Sequence, residues 1–231
     1  MPTPSTPRKS PGRPPRISRE EVIEAGRRIV AEQGADRLTM RRLAAEVGST
    51  PMALYHHVRD KEELLLLLLD EYAERTMRRP EPSGTPREQT IAAAAAIHDA
   101  LRDCPWAAEL LTADDLMSPT ALWFVEQIVD GLIRSGLTPE QAVRGYRAIW
   151  YYTLGQITIT AAAANRRTRD PRPTRRAQIF TALDPAELPR LARLADRWAA
   201  ITAEDTYLDG LRALVDGLIT DQGGNADRSL G

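Results

Sequence analysis

Apolar positions recur at helical spacing along most of this chain, and no stretch alternates with period two. Val22, Ile23, Ala25, Ile29 and Val30 give a first helix one apolar face, opened by Ser18 and Glu21 as a capping box and closed by Gly34. Met40, Leu43, Ala44 and Val47 form the face of a second helix, capped by Thr39 and stopped at Gly48. Thr50 then caps a third, with Pro51 at its first position, where a missing N–H costs nothing. This helix is predicted over Met52–Val58, about two turns. Leu54 and Val58 face inward at i, i+4, which leaves Met52, Ala53, Tyr55, His56 and His57 for another surface. Asp60 and Glu63 read as a capping box for a long helix reaching about Arg79. Its leucines 64–69 exceed one face, so several sides must be covered.

After the breaker-rich link Pro80–Pro86, one signature repeats: a capping residue, proline, then an acid or amide. Thr85-Pro86-Arg87-Glu88, Ser118-Pro119, Thr138-Pro139-Glu140-Gln141 and Asp184-Pro185-Ala186-Glu187 each predict a helix start. Thr202 is placed to cap a last helix ending near Thr220. Ala163–Arg176, rich in arginine and breakers, reads as a surface loop. The fold class is all-α, with roughly nine or ten helices. The expected organisation is a disordered basic arm over 1–17, a helix-turn-helix domain with its connector helix over 18–79, a second helical domain over 80–222 and a disordered tail over 223–231.

Charge sharpens this picture. The chain of 231 residues has a net charge of −1, yet its first nineteen residues carry Arg8, Lys9, Arg13, Arg16 and Arg19 and no acid. A basic arm ahead of a helix-turn-helix fits a polyanionic partner. Within the arm, Pro11–Arg16 (PGRPPR) resembles the core of an AT-hook, which would put Arg13 in an A·T-rich minor groove; a solvated tail is the plainer reading. Cys104 is the single cysteine, so no intrachain disulfide can form, as suits a reducing cytosol. The N-terminus has no apolar signal segment, and the longest apolar run, Leu64–Leu69, is too short for a bilayer. The expected location is cytoplasmic, with no membrane partner.

No HExxH, P-loop, GxGxxG or GxSxG motif is present, and the three histidines are His56, His57 and His98. Adjacent His56 and His57 cannot point the same way on a helix, which argues against a shared metal. No enzyme activity, cofactor or metal is expected.

Helix, glycine turn and short second helix make the helix-turn-helix layout, whose second helix can enter a DNA major groove. Residues Arg19–Tyr72, through IVAEQGADRLTMRRLAAEVG and ALYHHVRDKEELL, resemble the DNA-binding domain of the TetR family of bacterial transcriptional repressors. The resemblance implies double-stranded DNA, a palindromic operator, as partner. It places Arg41 at a base edge or phosphate, and Pro51, Met52 and Ala53 at the groove, where the last two offer apolar contact to a thymine methyl. Tyr55 and His57 match phosphate-binding positions and His56 a variable position near the bases, while Thr39 and Lys61 complete a backbone clamp.

Gly136–Gly155 resembles the C-terminal domain of the tetracycline repressors, which implies an inducer site and a homodimer. Large rings and apolar side chains there, Trp106, Leu110, Leu111, Trp123, Phe124, Ile128, Trp150, Tyr151 and Tyr152, suit a small apolar or aromatic inducer, though each taken singly reads as core. Gln156, Thr153, Thr158 and His98 are candidate polar partners. Two departures exclude magnesium-tetracycline as the expected ligand: no histidine accompanies Cys104-Pro105-Trp106, and Ile157, Thr158 and Ile159 include no carboxylate. In the family two helices per subunit form a four-helix dimer interface; here they would be the helix carrying Ala161–Ala164 and the last helix, with Leu208, Leu211, Leu214, Val215, Leu218 and Ile219. The reading at this point is a ligand-responsive repressor, with an activator or a ligand-free helical DNA-binding scaffold as alternatives.

Overall fold

Proline and glycine, more than intrinsic propensity, decide where the helices of this protein begin and stop. The computed structural model describes residues 17–81, 84–113, 116–169 and 175–220, and among these there are twelve α-helices, two 3-10 turns and no strand. Arg13 with its PGRPPR unit and the tail over 223–231 lie outside the described residues. The chain divides into two compact units, Met1–Tyr72 and Ala73–Gly231, and the division falls inside a helix rather than in the link that follows it.

The first unit is built from α1 (Arg19–Gln33), α2 (Met40–Glu46), α3 (Pro51–Leu54) and the start of α4 (Lys61–Thr76). Ser18 and Glu21 form the expected reciprocal cap at 3.1 and 2.7 Å. Val22, Ala25, Ile29 and Val30 are buried, and a Cβ on Gly26 of α1 would stand 3.5 Å from Leu64 and from Leu68 of α4. Arg28 of α1 reaches Glu46 of α2 at 3.4 Å. Leu64, Leu65, Leu68 and Leu69 are buried, whereas Leu66 and Leu67 are half-buried, so the apolar run does meet more than one neighbour.

Two details of α4 differ from expectation. Asp60 accepts from the Glu63 N–H at 2.8 Å, but the Glu63 carboxylate returns to the Arg59 N–H at 2.6 Å rather than to Asp60, because the Arg59 guanidinium adds a charged partner at 3.2 Å. The helix also stops at Thr76, short of Arg79, since a residue before proline, here Pro80, is steered out of helical geometry.

The second unit holds α5 (Pro86–Leu101), α6 (Pro105–Ala113), α7 (Leu122–Arg134), α8 (Pro139–Arg169) and α12 (Tyr207–Thr220), with α9 (Arg175–Thr181), α10 (Pro189–Leu194) and α11 (Trp198–Ile201) between the last two. Thr85 with Glu88 and Thr138 with Gln141 cap α5 and α8 reciprocally. Ser118 caps a 3-10 turn, Pro119–Ala121, that leads into α7. Gly136, at φ 105°, turns the chain out of α7 so that the Leu137 N–H closes on the Leu132 carbonyl at 3.2 Å. Leu132 of α7 and Leu218 of α12 both press on Gly145 of α8, so α8 runs between them. Arg87 of α5 pairs with Asp216 of α12 through an Nη2–Oδ2 contact of 2.9 Å.

Three expectations fail here. Ala163–Arg169 is not loop but the last two turns of α8, because Ala161–Ala164 favour helix strongly and the first breaker is Pro171. Asp184 does not open a helix; its carboxylate accepts from the Ala186 N–H at 2.8 Å in a single turn that Pro189 prevents from continuing, with Leu188 left at ψ 58°. Thr202 closes α11, its hydroxyl donating to the Trp198 carbonyl at 2.8 Å, and the last helix starts only at Tyr207, where Asp205 accepts from the Tyr207 N–H at 3.1 Å. The short α9, α10 and α11 raise the helix number above the sequence reading.

Candidate functional site

The local sequence around Gly48 explains the exposed face of the first unit. Thr39 accepts from the Arg42 N–H at 3.2 Å and Thr50 from the Ala53 N–H at 3.3 Å, so each cap holds one end of the turn. Between them Gly48, at φ 63°, lets the Ser49 N–H return to the Ala44 carbonyl at 2.8 Å. Beyond Gly48 the regular helix is shorter than predicted: α3 is one turn, and His56 and His57 close three-residue bonds to Ala53 and Leu54 at 3.3 and 2.8 Å. Val58, whose N–H donates to the Leu54 carbonyl at 3.0 Å, is buried as Leu54 is.

With Leu54 as its anchor, the short element presents its other side chains outward. Met52 is 72% exposed and Tyr55 48%, and Thr39, Arg41, Pro51 and His56 are also exposed. Ala53, His57 and Lys61 are half-buried, with Lys61 the first residue of α4. The Glu20 carboxyl is held below its usual range by its own backbone N–H and the Ser18 hydroxyl, with Arg19 and His57 adding weakly. Methyl, phenol and imidazole groups are thus exposed after Gly48, and Arg41 is exposed on α2, a mixture able to make apolar and hydrogen-bonding contact with a grooved polyanion.

In the second unit Trp106, Leu110, Phe124 and Ile128 are buried, and Leu111, Trp123, Trp150, Tyr152 and Gln156 are half-buried. Tyr151 is 58% exposed beside Arg147, and Thr158 is exposed, so these two stand apart from the other candidates. Trp123 meets Phe124 edge-on at 5.0 Å and carries the Arg79 guanidinium over its face at 4.9 Å.

Two of the polar candidates, Thr153 and His98, converge on a residue that the sequence reading omitted. Tyr207 is 2% exposed; its hydroxyl lies 2.9 Å from Thr153 Oγ1 and donates to the Ala94 carbonyl at 3.3 Å. One face of its ring stacks on His98 at 3.7 Å, and it is nearly parallel to Tyr152 at 5.5 Å. Tyr152 in turn donates to the Tyr207 carbonyl at 3.1 Å, a reach that Gly210 permits because a Cβ there would collide with the Tyr152 hydroxyl. His98 connects to Gln156 at 3.2 Å and to Asp99 at 3.3 Å. Burial pushes the Tyr207 phenol up to about 12. The missed signal was periodic: Tyr207, Leu211 and Val215 are the buried i, i+4, i+8 set of α12. Among the described residues no helix is long and apolar enough to cross a membrane, and no three His, Cys, Asp or Glu side chains are grouped to hold a metal ion.

Known proteins share both halves of this arrangement. The profile described as bacterial regulatory proteins, tetR family, matches residues 22–68, and that of the tetracycline-repressor-like C-terminal domain matches residues 79–221. The HTH-type transcriptional repressor DrrR1 of Streptomyces coeruleorubidus is 31% identical over 150 residues, which are 64% of this chain and 55% of that protein. An HTH-type transcriptional regulator of Saccharopolyspora erythraea is 29% identical over 154 residues, 66% of this chain and 64% of its own length. The matched stretch thus spans less than two thirds of either relative. Among solved structures, BioQ of Mycobacterium smegmatis is 29% identical with a TM-score of 0.63, over 88% of this chain and 98% of that one. A structure of BioQ with its natural double-stranded DNA operator aligns at 28% identity and a TM-score of 0.61, over 88% of this chain and 98% of that one. Apo ActR from Streptomyces coelicolor, at 22% identity and a TM-score of 0.70 over 90% of this chain and 98% of that one, shares the fold. With its reading-head helices and more than half of its length matched in this way, the chain belongs to the tetR family of bacterial regulatory proteins.

Proposed function

We propose that this chain is a homodimeric transcriptional repressor that grips a palindromic operator in double-stranded DNA and lets go when a small apolar or aromatic inducer binds its second unit. The observation that carries the reading is the division of α3 and the turn that follows it, in which Leu54 is buried while Met52, Tyr55 and His56 face out. A single-turn reader contacts few base pairs, so useful specificity calls for two copies on a symmetric site, one helical turn or about 34–36 Å apart. Apolar side chains left exposed on α8 (Val143, Tyr151 and Ile159) and on α12 (Leu208) support pairing of two chains. Gly155 and Gly217, with open space where a Cβ would be, add room for close helix approach. The likeness to BioQ, solved with its operator, and to a relative named a repressor supports DNA as the partner.

In this scheme Thr39, Arg41, Tyr55, His57 and Lys61 hold phosphates or a base edge, and Pro51, Met52, Ala53 and His56 face the bases. Trp106, Leu110, Trp123, Phe124, Trp150 and Gln156 serve the inducer; Tyr151, being outward, serves the dimer instead. The inducer acts by preferring the non-binding state by a few kcal/mol. Selection of duplexes from a randomised library by the purified chain, followed by fluorescence anisotropy at physiological salt, tests the reading. A recovered inverted repeat bound far more tightly than its scrambled version is expected. Equal affinity for both duplexes would overturn it.

A further inference from the structure

His98 is 4% exposed, and its two ring nitrogens face two oxygens: Nδ1 lies 3.3 Å from Oδ1 of Asp99 and Nε2 lies 3.2 Å from Oε1 of Gln156. A neutral imidazole has one ring hydrogen, so it cannot donate to both. An ionised carboxylate can only accept, whereas a carboxamide offers an –NH2 after a half-turn about its last bond. In the neutral ring the hydrogen therefore belongs on Nδ1, toward Asp99, and the Nε2 lone pair is met by the Gln156 amide turned to donate. This leaves a buried acceptor, oriented by a carboxylate behind it and satisfied by a long, half-buried, neutral side chain.

We infer that His98 Nε2 is the acceptor for the O–H of a neutral aromatic hydroxyl compound, with the Gln156 amide as the resident donor that such a ligand displaces. The inference rests on the proposed inducer role of the second unit and gives that inducer a chemical class. A phenolic O–H is a stronger donor than an amide N–H, so the exchange favours the ligand. His98 and Tyr152 both lie nearly parallel to the Tyr207 ring, at 3.7 and 5.5 Å, so the imidazole plane is held while its Nε2 edge meets Gln156. A carboxylate ligand would bring only acceptors, and a second negative charge close to Asp99.

Calorimetric titration of the full chain with 2-naphthol and with its methyl ether, 2-methoxynaphthalene, tests this. The ether keeps the rings and loses the donor. The expected result is binding of 2-naphthol about ten-fold tighter than the ether, the size of one buried hydrogen bond. His98→Phe keeps a ring to stack on Tyr207 and should bind both probes alike. Gln156→Leu removes the resident donor and should bind 2-naphthol several-fold tighter than the parent chain does, which keeps the test decisive if His98→Phe does not fold. Failure of 2-naphthol to bind, equal affinity for the two probes in the parent chain, discrimination that survives His98→Phe, or no gain in Gln156→Leu overturns the inference. The DNA selection is read without ligand. A chain that selects an operator but ignores the hydroxyl refutes only this inference, and one that senses the hydroxyl but selects no DNA refutes only the repressor reading.

Discussion

Met52 and Leu54 lie two residues apart in the single turn of α3, yet Leu54 has no exposed surface and Met52 is 72% exposed. Their substitutions should separate function from stability. Met52→Ala is expected to leave the denaturation midpoint within about 0.5 kcal/mol of the parent, as surface changes do. It should still weaken operator binding by about 1 kcal/mol, mostly at one base step. Leu54→Ala should cost about 2–5 kcal/mol of stability, because it empties a filled core position. Denaturant titration beside anisotropy on the selected operator reads both. A stability loss in Met52→Ala equal to that of Leu54→Ala would contradict the division.

Lys61 is the first residue of α4, whose first N–H groups have no partner within the helix apart from the Asp60 cap on Glu63. A phosphate held there contributes affinity without sequence information. Lys61→Ala is therefore expected to weaken binding to specific and random duplexes by similar factors. The slope of log K against log salt should become shallower by about 0.9 per subunit. Anisotropy at several salt concentrations measures it; an unchanged slope would remove Lys61 from the backbone clamp.

Several helix starts and the exposure of Met52, Tyr55 and His56 were legible in the sequence because their causes are local. Ser18 with Glu21, Thr85 with Glu88 and Thr138 with Gln141 each bond within three residues, so spacing alone reveals them. The same signature at Asp184-Pro185-Ala186-Glu187 misleads because Pro189, just downstream, forbids the second turn. Breakers at Pro171 and Pro173 made the whole arginine-rich run read as loop, although the alanines before it extend α8 to Arg169. The cluster of His98, Gln156 and Tyr207 was only partly legible. Its members come from α5, α8 and α12, and no local period links residues that far apart. Counting the last helical stripe from Leu208 left out Tyr207, although i, i+4, i+8 spacing joins it to Leu211 and Val215.

Tyr207 makes stability depend on alkaline pH with a definite sign. Burial raises its phenol from the ordinary 10.0 to about 12. Below pH 10 the phenol is neutral in both folded and unfolded chains, and the folded state keeps its full advantage. From about pH 10 to 12 the unfolded chain ionises and the folded one does not, so stability falls as pH rises, by roughly 2–3 kcal/mol in all. Tyr207→Phe should lose about 1 kcal/mol at neutral pH, with the hydroxyl's bonds to Thr153 and Ala94 gone, and should then lose less stability between pH 10 and 12 than the parent. Urea titrations at pH 8, 10 and 11.5 compare the two chains; parallel declines would show that Tyr207 is not the group responsible.

The closest approach of α5 and α7 has no room for a side chain. A Cβ on Gly131 would stand 2.2 Å from Thr90 Oγ1 and 2.8 Å from the Pro86 carbonyl oxygen. Thr90 cannot simply rotate away, because it is fully buried and its hydroxyl donates to that same carbonyl at 3.1 Å. Gly131→Ala must therefore push the two helices apart, at a cost of about 1–3 kcal/mol or more. The helix propensity gained by replacing glycine, about 1 kcal/mol, offsets only part of that. Combining Gly131→Ala with Thr90→Ala removes the nearer obstruction but leaves the backbone oxygen in place. The double variant should recover part of the lost stability beyond the sum of the single changes, and not all of it. Thermal unfolding of the four chains of this cycle measures the coupling. Full additivity would mean that Thr90 is not what a methyl group at this crossing meets.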